Sequence, residues 1–458
     1  MMRSMYSGVS GLRVHQTKMD VISNNIANIN TVGFKRSTVS FKDSFNQTLS
    51  SASAANDERG GVNPQQIGLG ANVGNVVTVM GQGAVQRTDY GSDLMIDGDG
   101  FFVVQDATGF SFTRAGAFEV DASGNLVDPN GFKVCGWKTI EDPDNPGKQK
   151  VIKERVQPIN IYEGENLYVP AKQTTNIEFT GNFNPNTSPQ KNTISFYDTI
   201  GNKYTMDIEF QKQATVGAGG NTTWNIVLPT PNQGQPGGIP IMFNGEKMYL
   251  QGNGFNVQNQ QPTLEFDASG KLAPNANKNL QITFQNGNAN GPIVLKNEKN
   301  EDVNTGGNLN SPITIDFSTV TQFNSKVTVT SNTKNGNAAG NMTGYSIDGN
   351  GMIRGVYSNG QSKILAQIPV ADFRNPAGLE KVGNNLYKET GNSSEFDGIG
   401  AEVSSIGSKI QSGALEMSNV DLSYEFSEMI TTQRGFQANS RIITASDEMI
   451  QELVNLKR

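Results

Sequence analysis

The sequence predicts an α+β protein that is mainly β, with one α-helix at each end of the chain and nested, discontinuous β domains between them. Helical periodicity is confined to the two ends of the 458 residues. The chain has 51 glycines, and its middle alternates short apolar runs with turn residues, which is typical of β-hairpins. Short apolar runs become less frequent after residue 148 and frequent again after residue 345. This change in composition predicts one domain inserted within another.

The first predicted helix lies in residues 1–30, which contain no proline. Apolar residues recur there at intervals of three, four or seven, so they form one stripe along a helix. The stripe consists of Met5, Val9, Leu12, Met19, Ile22 and Ile26. Gly8 and Gly11 beside it are small enough to let another helix backbone approach closely.

The second predicted helix lies in residues 420–458 and begins after Asp421, whose carboxylate suits the N-cap position. Every seventh residue is apolar, and Phe426 and Val454 occupy the companion row. The residues spaced by seven are Leu422, Met429, Phe436, Ile443 and Ile450. A strict repeat of seven favours a coiled coil, and the basic N-terminal segment favours packing against this acidic helix. We therefore expect the two terminal helices to pair as a coiled coil.

Between the helices, composition changes and turn clusters predict connectors and two β domains. One hairpin phrase occurs in residues 118–126, 264–272 and 345–353, and each copy predicts a strand, a turn of Asp, Gly or Asn, and a second strand. The predicted extended connector comprises residues 31–67 and 400–419, the first β domain residues 68–140 and 342–399, and the second β domain residues 141–341.

Composition argues against several classes of function. Cys135 is the only cysteine and His15 the only histidine, which rules out an intrachain disulfide and disfavours Cys- or His-based metal sites and Ser–His catalysis. The net charge of -7 disfavours nucleic acid as a partner, and no run of about 18 apolar residues is present for membrane insertion. Asp97 and Asp99 predict a tight turn, because the later ligands of a calcium loop are missing. We expect no catalytic residue, no cofactor and no metal.

Sequence motifs at both ends and in the centre of the chain resemble those of one known protein family. Residues 23–35 (SNNIANINTVGFK) and 412–422 (SGALEMSNVDL) resemble the terminal signatures of the bacterial flagellar axial proteins of the rod and hook. Residues 95–104 (MIDGDGFFVV) and 112–118 (FTRAGAF) resemble the β domain that these proteins share. The motif positions that match are Asn24, Asn25, Asn28, Thr31, Gly33, Phe34, Asn419, Val420, Asp421 and Leu422.

Within this family, the large central insertion and residues 196–203 (FYDTIGNK) are similar to the hook branch. That resemblance implies a non-enzymatic structural subunit that self-assembles into a curved, flexible helical tube, a universal joint that transmits motor torque from rod to filament. Residues 141–341 would then form an outer, surface-exposed domain. The implied partners are further copies of the chain, the distal rod protein, the hook–filament junction protein, the hook cap and the hook-length control protein. No secretory signal peptide is evident, and the resemblance implies flagellar type III export and an extracellular position in the hook.

The apolar residues of the two helices are the predicted assembly interface. One pair of such helices is marginal in isolation, so we expect both ends to be disordered in the free chain and to order against neighbouring subunits. An ordinary intramolecular helix pair is the alternative. Two other functions also stay open: a distal rod subunit of the flagellum, or, from a different class, a secreted β-rich glycan-binding protein.

Overall fold

The chain forms a mainly β structure with one long helix at each end, and this confirms the predicted fold class. The structure, a computed structural model, describes residues 2–54, 60–107, 109–141, 149–213, 221–228, 239–250, 255–257, 263–274, 278–284, 294–309 and 311–456. Residues 55–59 of the predicted connector and residues 142–148 at the predicted start of the second β domain lie outside this description. No helix among the described residues is long and apolar enough to cross a membrane.

Two compact units divide the chain. Unit 1 comprises Met1–Glu163, Tyr345–Gly355 and Lys363–Arg458, and unit 2 comprises Gly164–Gly344 and Val356–Ser362. The chain therefore leaves unit 1 after Glu163, builds most of unit 2, returns at Tyr345 and enters unit 2 once more for Val356–Ser362, and both of its ends belong to unit 1.

The helices of unit 1 are α1, Met2–Ala27, and α2, Leu422–Leu456. Asp421 caps α2, because one carboxylate oxygen accepts the backbone N–H groups of Ser423 at 2.8 Å and Tyr424 at 3.3 Å. The two helices pack antiparallel. Asn25 near the end of α1 reaches Glu425 near the start of α2, and Ser4 lies beside Ser446.

Among its described residues, unit 1 also contains most of one large sheet and four two-stranded sheets. Its strands are Ser37–Asp43, Asn46–Ser50, Gln65–Gly68, Ala71–Thr78, Val85–Arg87, Leu94–Asp97, Phe101–Asp106, Gly109–Thr113, Glu119–Val120, Leu126–Val127, Lys133–Glu141, Gln149–Val151, Gln157–Pro158, Val370–Ala371, Glu380–Gly383, Leu386–Lys388, Lys409–Ser412 and Ala414–Glu416. Three strands have residues in both units: Gly340–Ile347, Met352–Tyr357 and Ser362–Gln367.

Strand pairing in unit 1 brings together segments that are far apart in sequence. Phe101–Asp106 pairs with Gly109–Thr113 on one side and with Lys133–Glu141 on the other. The late strand Lys409–Ser412 pairs with Leu94–Asp97. The aromatic core on this sheet includes Phe101, Phe112, Trp137, Phe373 and Tyr387.

Unit 2 packs two sheets over one core. Its strands are Tyr168–Val169, Asn176–Phe183, Gln190–Tyr197, Lys203–Lys212, Thr222–Val227, Ile239–Phe243, Glu246–Leu250, Phe255–Val257, Thr263–Phe266, Asn279–Phe284, Val294–Lys296, Asp302–Asn304, Ile313–Gln322 and Thr330–Thr333. One sheet centres on Asn176–Phe183, which runs parallel to Ile313–Gln322. The other centres on the hairpin Gln190–Tyr197 and Lys203–Lys212.

The three copies of the hairpin phrase form the same turn. Asp121, Asp267 and Asp348 each accept two backbone N–H groups, from residues two and four positions later, on one carboxylate oxygen. The glycine three residues after each aspartate has φ between 76° and 87°, where a Cβ would be strained. The three predicted hairpins are therefore confirmed.

The core of unit 2 supplies a test of packing. Phe179 is fully buried, stacks on Phe317 with ring centroids 5.0 Å apart and meets Phe210 edge-on at 5.6 Å. We expect Phe179→Ala to lower the free energy of unfolding by about 3–5 kcal/mol, through lost burial and the cavity it leaves. Chemical unfolding measures this. Phe323→Ala is the matched control, because Phe323 is 50% exposed, and its cost should stay below about 1 kcal/mol. Equal losses in the two variants would contradict the packing described here.

Candidate assembly interface

The contact between α1 and α2 is close because glycine occupies it. A Cβ built on Gly11 would lie 2.7 Å from Asn439 Nδ2, and one built on Gly8 would lie 3.2 Å from the Ile443 side chain. On the other helix, a Cβ on Gly435 would lie 2.7 Å from the ring of His15. The close approach predicted at Gly8 and Gly11 is therefore confirmed.

The row of α2 that faces α1 is polar. Glu425, Thr432 and Ser446 are each 2% exposed and lie at multiples of seven residues from one another. The predicted companion row lies one position away from this buried row and does not face α1, since Phe426 is 49% and Val454 61% exposed. The physical reason is the close contact: the short Thr and Ser side chains fit between neighbouring helix backbones, whereas a phenylalanine does not.

The other predicted apolar residues are divided between half-buried and exposed positions. Those that are half-buried are Met5, Leu12, Met19, Ile26, Met429, Phe436, Ile443 and Ile450. Ile22 is buried, whereas Val9 and Leu422 are each 38% exposed. Val14, which the stripe omitted, is 5% exposed. Each helix thus uses only part of its apolar surface within one chain.

Many large apolar side chains of α2 face solvent. The exposed ones are Leu422, Tyr424, Phe426, Ile430, Ile442, Met449, Leu453, Val454 and Leu456. Tyr6 of α1 is also 68% exposed. An apolar face of this length is typical of a surface that another protein covers.

The family-motif residue Asn25 joins α1, the next strand and α2. Its Oδ1 accepts the Ser37 N–H at 3.0 Å, while its Nδ2 donates to Ser37 O at 2.9 Å and to Glu425 Oε1 at 3.2 Å. Asn25 is 1% exposed, so these bonds form in a dry environment. Arg36 supports the junction, with its NH1 atom 3.6 Å from Glu425 Oε1 and its guanidinium over the Tyr424 ring.

Other motif residues close the C-terminal end of α1. Asn28 Nδ2 donates to Asn24 O at 2.8 Å and to Asn24 Oδ1 at 2.9 Å. Thr31 Oγ1 donates to Asn28 Oδ1 at 3.1 Å. These bonds link the side chains of the segment that follows α1 to one another and to the last turn of the helix.

Gly33 is required by its backbone conformation and its surroundings. Its φ is +68°, and a Cβ there would lie 2.7 Å from Ala115 N. Its own N–H donates to Glu416 O at 2.7 Å. Phe34, the next residue, is 9% exposed and lies under the Lys381 ammonium, which is 5.0 Å from the ring centroid.

Asn419 ties the C-terminal signature to two other segments. Its Nδ2 donates to Val79 O at 2.8 Å and Gly81 O at 2.9 Å, and its Oδ1 accepts the Arg36 N–H at 2.8 Å. Of the motif residues that follow it, Val420 is half-buried, whereas Asp421 and Leu422 are exposed at the start of α2.

A buried ion cluster, which the sequence did not predict, lies beside Gly33. Glu416 Oε1 accepts Lys35 Nζ at 2.5 Å and the Gly83 N–H at 2.8 Å, while Arg114 NH1 is 3.4 Å from Oε2. Lys35 and Glu416 are each 1% exposed and Arg114 is 4% exposed. Burial lowers the pKa of Lys35, and the Glu416 carboxylate opposes that shift. The sequence gives one local hint of this cluster: the charged residue Lys35 directly follows Gly33 and Phe34 of the family motif.

The only histidine and the only cysteine of the sequence, His15 and Cys135, both pack against other parts of the chain. His15 packs edge-on against Phe41, with centroids 5.7 Å apart, and burial together with the charge of Lys18 lowers its pKa. Lys18 itself forms an ion pair with Glu428 across the helices. Cys135 is a buried residue of the strand Lys133–Glu141, and burial raises its pKa to about 12.

Comparisons with protein families place the chain in one class. The model described as "Flagella basal body rod protein" matches residues 5–35, and "Flagellar hook protein FlgE/F/G D1 domain" matches residues 95–182. "Flagellar basal body protein FlaE D2 domain" matches residues 166–337, and "Flagellar basal body rod FlgEFG protein C-terminal" matches residues 411–456. The class is that of the flagellar rod and hook proteins, as the resemblance indicated.

Full-length relatives identify the branch. The chain is 38% identical to the flagellar hook protein FlgE of Borreliella burgdorferi and 36% identical to that of Treponema pallidum, and in both comparisons 100% of each chain is covered. It is 28% identical to the flagellar basal-body rod protein FlgG of Bacillus subtilis, again over 100% of each chain. The chain belongs to the flagellar hook protein family, a family of structural proteins.

The ion cluster generates a prediction about stability. Glu416→Gln removes the anion and leaves the Lys35 ammonium buried without a counter-charge, so we expect a loss of about 3–5 kcal/mol in the free energy of unfolding. Glu402→Gln is the matched control, because the Lys153–Glu402 pair is nearly as short, at 2.7 Å against 2.5 Å for Lys35–Glu416, but has side chains 55% and 30% exposed. Its loss should be about 1 kcal/mol or less. Urea unfolding measures both, and a small loss in Glu416→Gln would show that the cluster does not stabilise the fold.

Proposed function

We propose that this protein is the structural subunit of the bacterial flagellar hook, which self-assembles into a curved, flexible helical tube. The tube acts as a universal joint that transmits motor torque from the rod to the filament. The observation that carries the proposal is the solvent-exposed apolar face of α2 in a chain whose full length is similar to hook proteins. In this role the protein is not an enzyme.

The predicted interface residues of both helices form contacts between subunits in this proposal. Leu422, Phe426 and Val454, which are exposed in the single chain, would be covered by neighbouring copies. Half-buried positions such as Met429 and Ile450 would lose their remaining exposed surface. Burying a side chain of this size contributes about 1.5–3 kcal/mol, so assembly supplies the stabilisation that one helix pair lacks.

The domain boundaries predicted from the sequence suit a subunit of a hollow tube. Terminal helices 1–30 and 420–458 would line the channel, residues 68–140 and 342–399 would build the wall, and residues 141–341 would form the outer domain. The connectors 31–67 and 400–419 would absorb the change in subunit spacing that a rotating curved tube requires. In support, the ribbon of Asn46–Ser50 and Gln65–Gly68 is exposed along both strands.

The proposal also covers the flagellar proteins that the tube would contact and the export route of its subunits. The tube would contact the distal rod protein at its base and the hook–filament junction protein at its tip. During assembly it would meet the hook cap and the hook-length control protein. We infer export through the flagellar type III system without a cleaved signal peptide, in keeping with a chain that has one cysteine and no need of disulfide formation.

A distal rod subunit is the second candidate, and the full-length similarity to a FlgG rod protein favours it. The two candidates differ in the polymer they build, since a rod is a straight shaft and a hook is a curved tube. The large inserted unit, with its own two-sheet core, agrees with the hook.

Electron microscopy of the purified full chain under assembly conditions tests the proposal. We expect curved hollow tubes from the wild type, and few or none from the double variant Phe426→Ser and Ile430→Ser, because it makes the outer face of α2 polar. Val382→Ser is the matched control, since Val382 is a 55% exposed apolar residue of a β-strand, and it should assemble like the wild type.

The other possible results of this experiment distinguish the candidate functions. Straight rods from the wild type would favour the rod candidate, and the absence of any polymer would contradict both candidates. Normal tubes from the double variant would show that the outer face of α2 is not the assembly surface.

A further inference from the structure

Several Asn–Gly pairs in the described part of the chain allow a comparison of one chemical step in different surroundings. In such a pair the backbone nitrogen of the glycine can attack the asparagine side-chain amide, because glycine has no Cβ to hinder the approach. The described pairs begin at Asn130, Asn244, Asn335, Asn350 and Asn359. The reacting atoms are the same in all of them, so differences in reactivity come from the structure around each pair.

Asn244 and Gly245 form the exposed turn of a hairpin in unit 2. They join the strands Ile239–Phe243 and Glu246–Leu250, and both have positive φ, 50° and 85°, as the two-residue turn of a hairpin requires. Both residues are exposed. Apart from its chain neighbours, no heavy atom of the described residues lies within 4 Å of a Cβ built on Gly245. The turn therefore has open space in which to rearrange.

No hydrogen bond restrains the reacting groups of this turn. Within the described residues, neither the side-chain amide of Asn244 nor the backbone N–H of Gly245 has a hydrogen-bond partner. The amide can therefore rotate freely, and the glycine nitrogen breaks no bond when it approaches the amide carbon.

Hydrogen bonds hold the side-chain amides of two other pairs on both of their polar atoms. Asn335 Oδ1 accepts two backbone N–H groups, at 2.8 and 2.9 Å, and its Nδ2 donates to Thr175 Oγ1 at 2.6 Å. Asn359 Oδ1 accepts the Gln361 N–H at 3.0 Å, and its Nδ2 donates to Ala338 O at 2.8 Å. These amides must lose their partners before they can turn toward the glycine nitrogen.

In the remaining two pairs the glycine nitrogen itself is bonded. The Gly131 N–H donates to Asp128 O at 2.9 Å, and the Gly351 N–H donates to Asp348 O at 3.0 Å. Asn130 is restrained further, because its Nδ2 donates to Asp128 Oδ2 at 3.0 Å. Asn244 is thus the described Asn–Gly pair in which both reacting groups are unbonded.

We propose that Asn244 is a site of spontaneous deamidation, at which the folded chain converts to aspartate and isoaspartate. The Gly245 nitrogen bonds to Cγ of Asn244, the bond from Cγ to Nδ2 breaks, and Nδ2 leaves as ammonia with the proton that the Gly245 nitrogen gives up. Water then opens the cyclic imide. Addition at Cγ restores the normal backbone and gives aspartate, whereas addition at the backbone carbonyl carbon gives isoaspartate. The reaction requires only the folded unit 2, so it does not depend on the proposed function.

The two products differ in their effect on the hairpin. Both carry a new carboxylate, but isoaspartate also adds one carbon atom to the backbone of a turn whose length sets the strand register. Phe243 beside the turn is 9% exposed and stacks on Tyr204 with ring centroids 5.2 Å apart. Isoaspartate should therefore loosen this corner of the core, whereas aspartate should leave it folded.

Peptide mapping by mass spectrometry tests the inference on the purified full chain, incubated at neutral pH and sampled over time. Trypsin cleaves after Lys212 and Lys247, which isolates Asn244 as the only Asn–Gly asparagine of its peptide. Deamidation at Asn244 should be at least about tenfold faster than at Asn335 and Asn359, whose amides must lose several hydrogen bonds.

The pairs with a bonded glycine nitrogen should react at least about threefold more slowly than Asn244, because they must lose at least one hydrogen bond. Enzymatic methylation of isoaspartate identifies that product. The Asn–Gly pairs outside the described residues fall in other tryptic peptides and stay out of the comparison. They begin at Asn253, Asn286 and Asn290.

Two controls separate the structural cause from the sequence. In denaturant the rates at the five pairs should agree within about threefold, because no pair is then protected by local structure. Asn244→Gln keeps an amide in the turn but needs a larger ring to react, so deamidation in that peptide should disappear. Asn244 rates equal to those of the four bonded pairs in the folded chain would overturn the inference. The same ranking in denaturant as in the folded chain would also overturn it.

Discussion

The narrow contact between α1 and α2 is the constraint on which the rest of the structure depends. Gly8, Gly11 and Gly435 bring the two backbones close, and Thr432 and Ser446 fill the remaining space. A contact made of small side chains buries little apolar surface, so it contributes little of the free energy that ordering two long helices requires. Many large apolar side chains of α2, among them Phe426, Ile430 and Leu453, lie outside this contact and are exposed in the single chain.

A set of buried polar bonds fastens this helix pair to the β part of unit 1. Asn25 and Asn419 bond to backbone groups of segments far away in sequence, and Glu416 holds Lys35 and Arg114 in a dry cluster. Charged and amide groups have directional partners, so they fix one arrangement where apolar contacts would allow several. If the chain builds the proposed tube, torque would have to pass between the helix pair and the β part of unit 1, and these bonds would hold the two together.

The local features of the fold could be predicted from the sequence, and the long-range ones could not. Periodicity placed both helices and the Asp421 cap, and turn chemistry placed the hairpins at Asp121, Asp267 and Asp348, because neighbouring residues determine these features. The polar row of α2 was missed, since heptad reasoning looks for apolar residues and so selected Phe426 where Glu425 makes the contact. The partners Lys35 and Glu416 are 381 positions apart, and no local pattern connects them.

Amide hydrogen exchange on the dilute free chain and on the assembled polymer tests the central claim most directly. The account predicts that amides of α1 and α2 exchange quickly in the free chain, while those of the buried strand Phe101–Asp106 are protected in both states. In the polymer, both helices should become as slow as that strand. Equal, strong protection of α1 and α2 before and after assembly would show that the helix pair is stable by itself, and would contradict the claim that its folding depends on other copies.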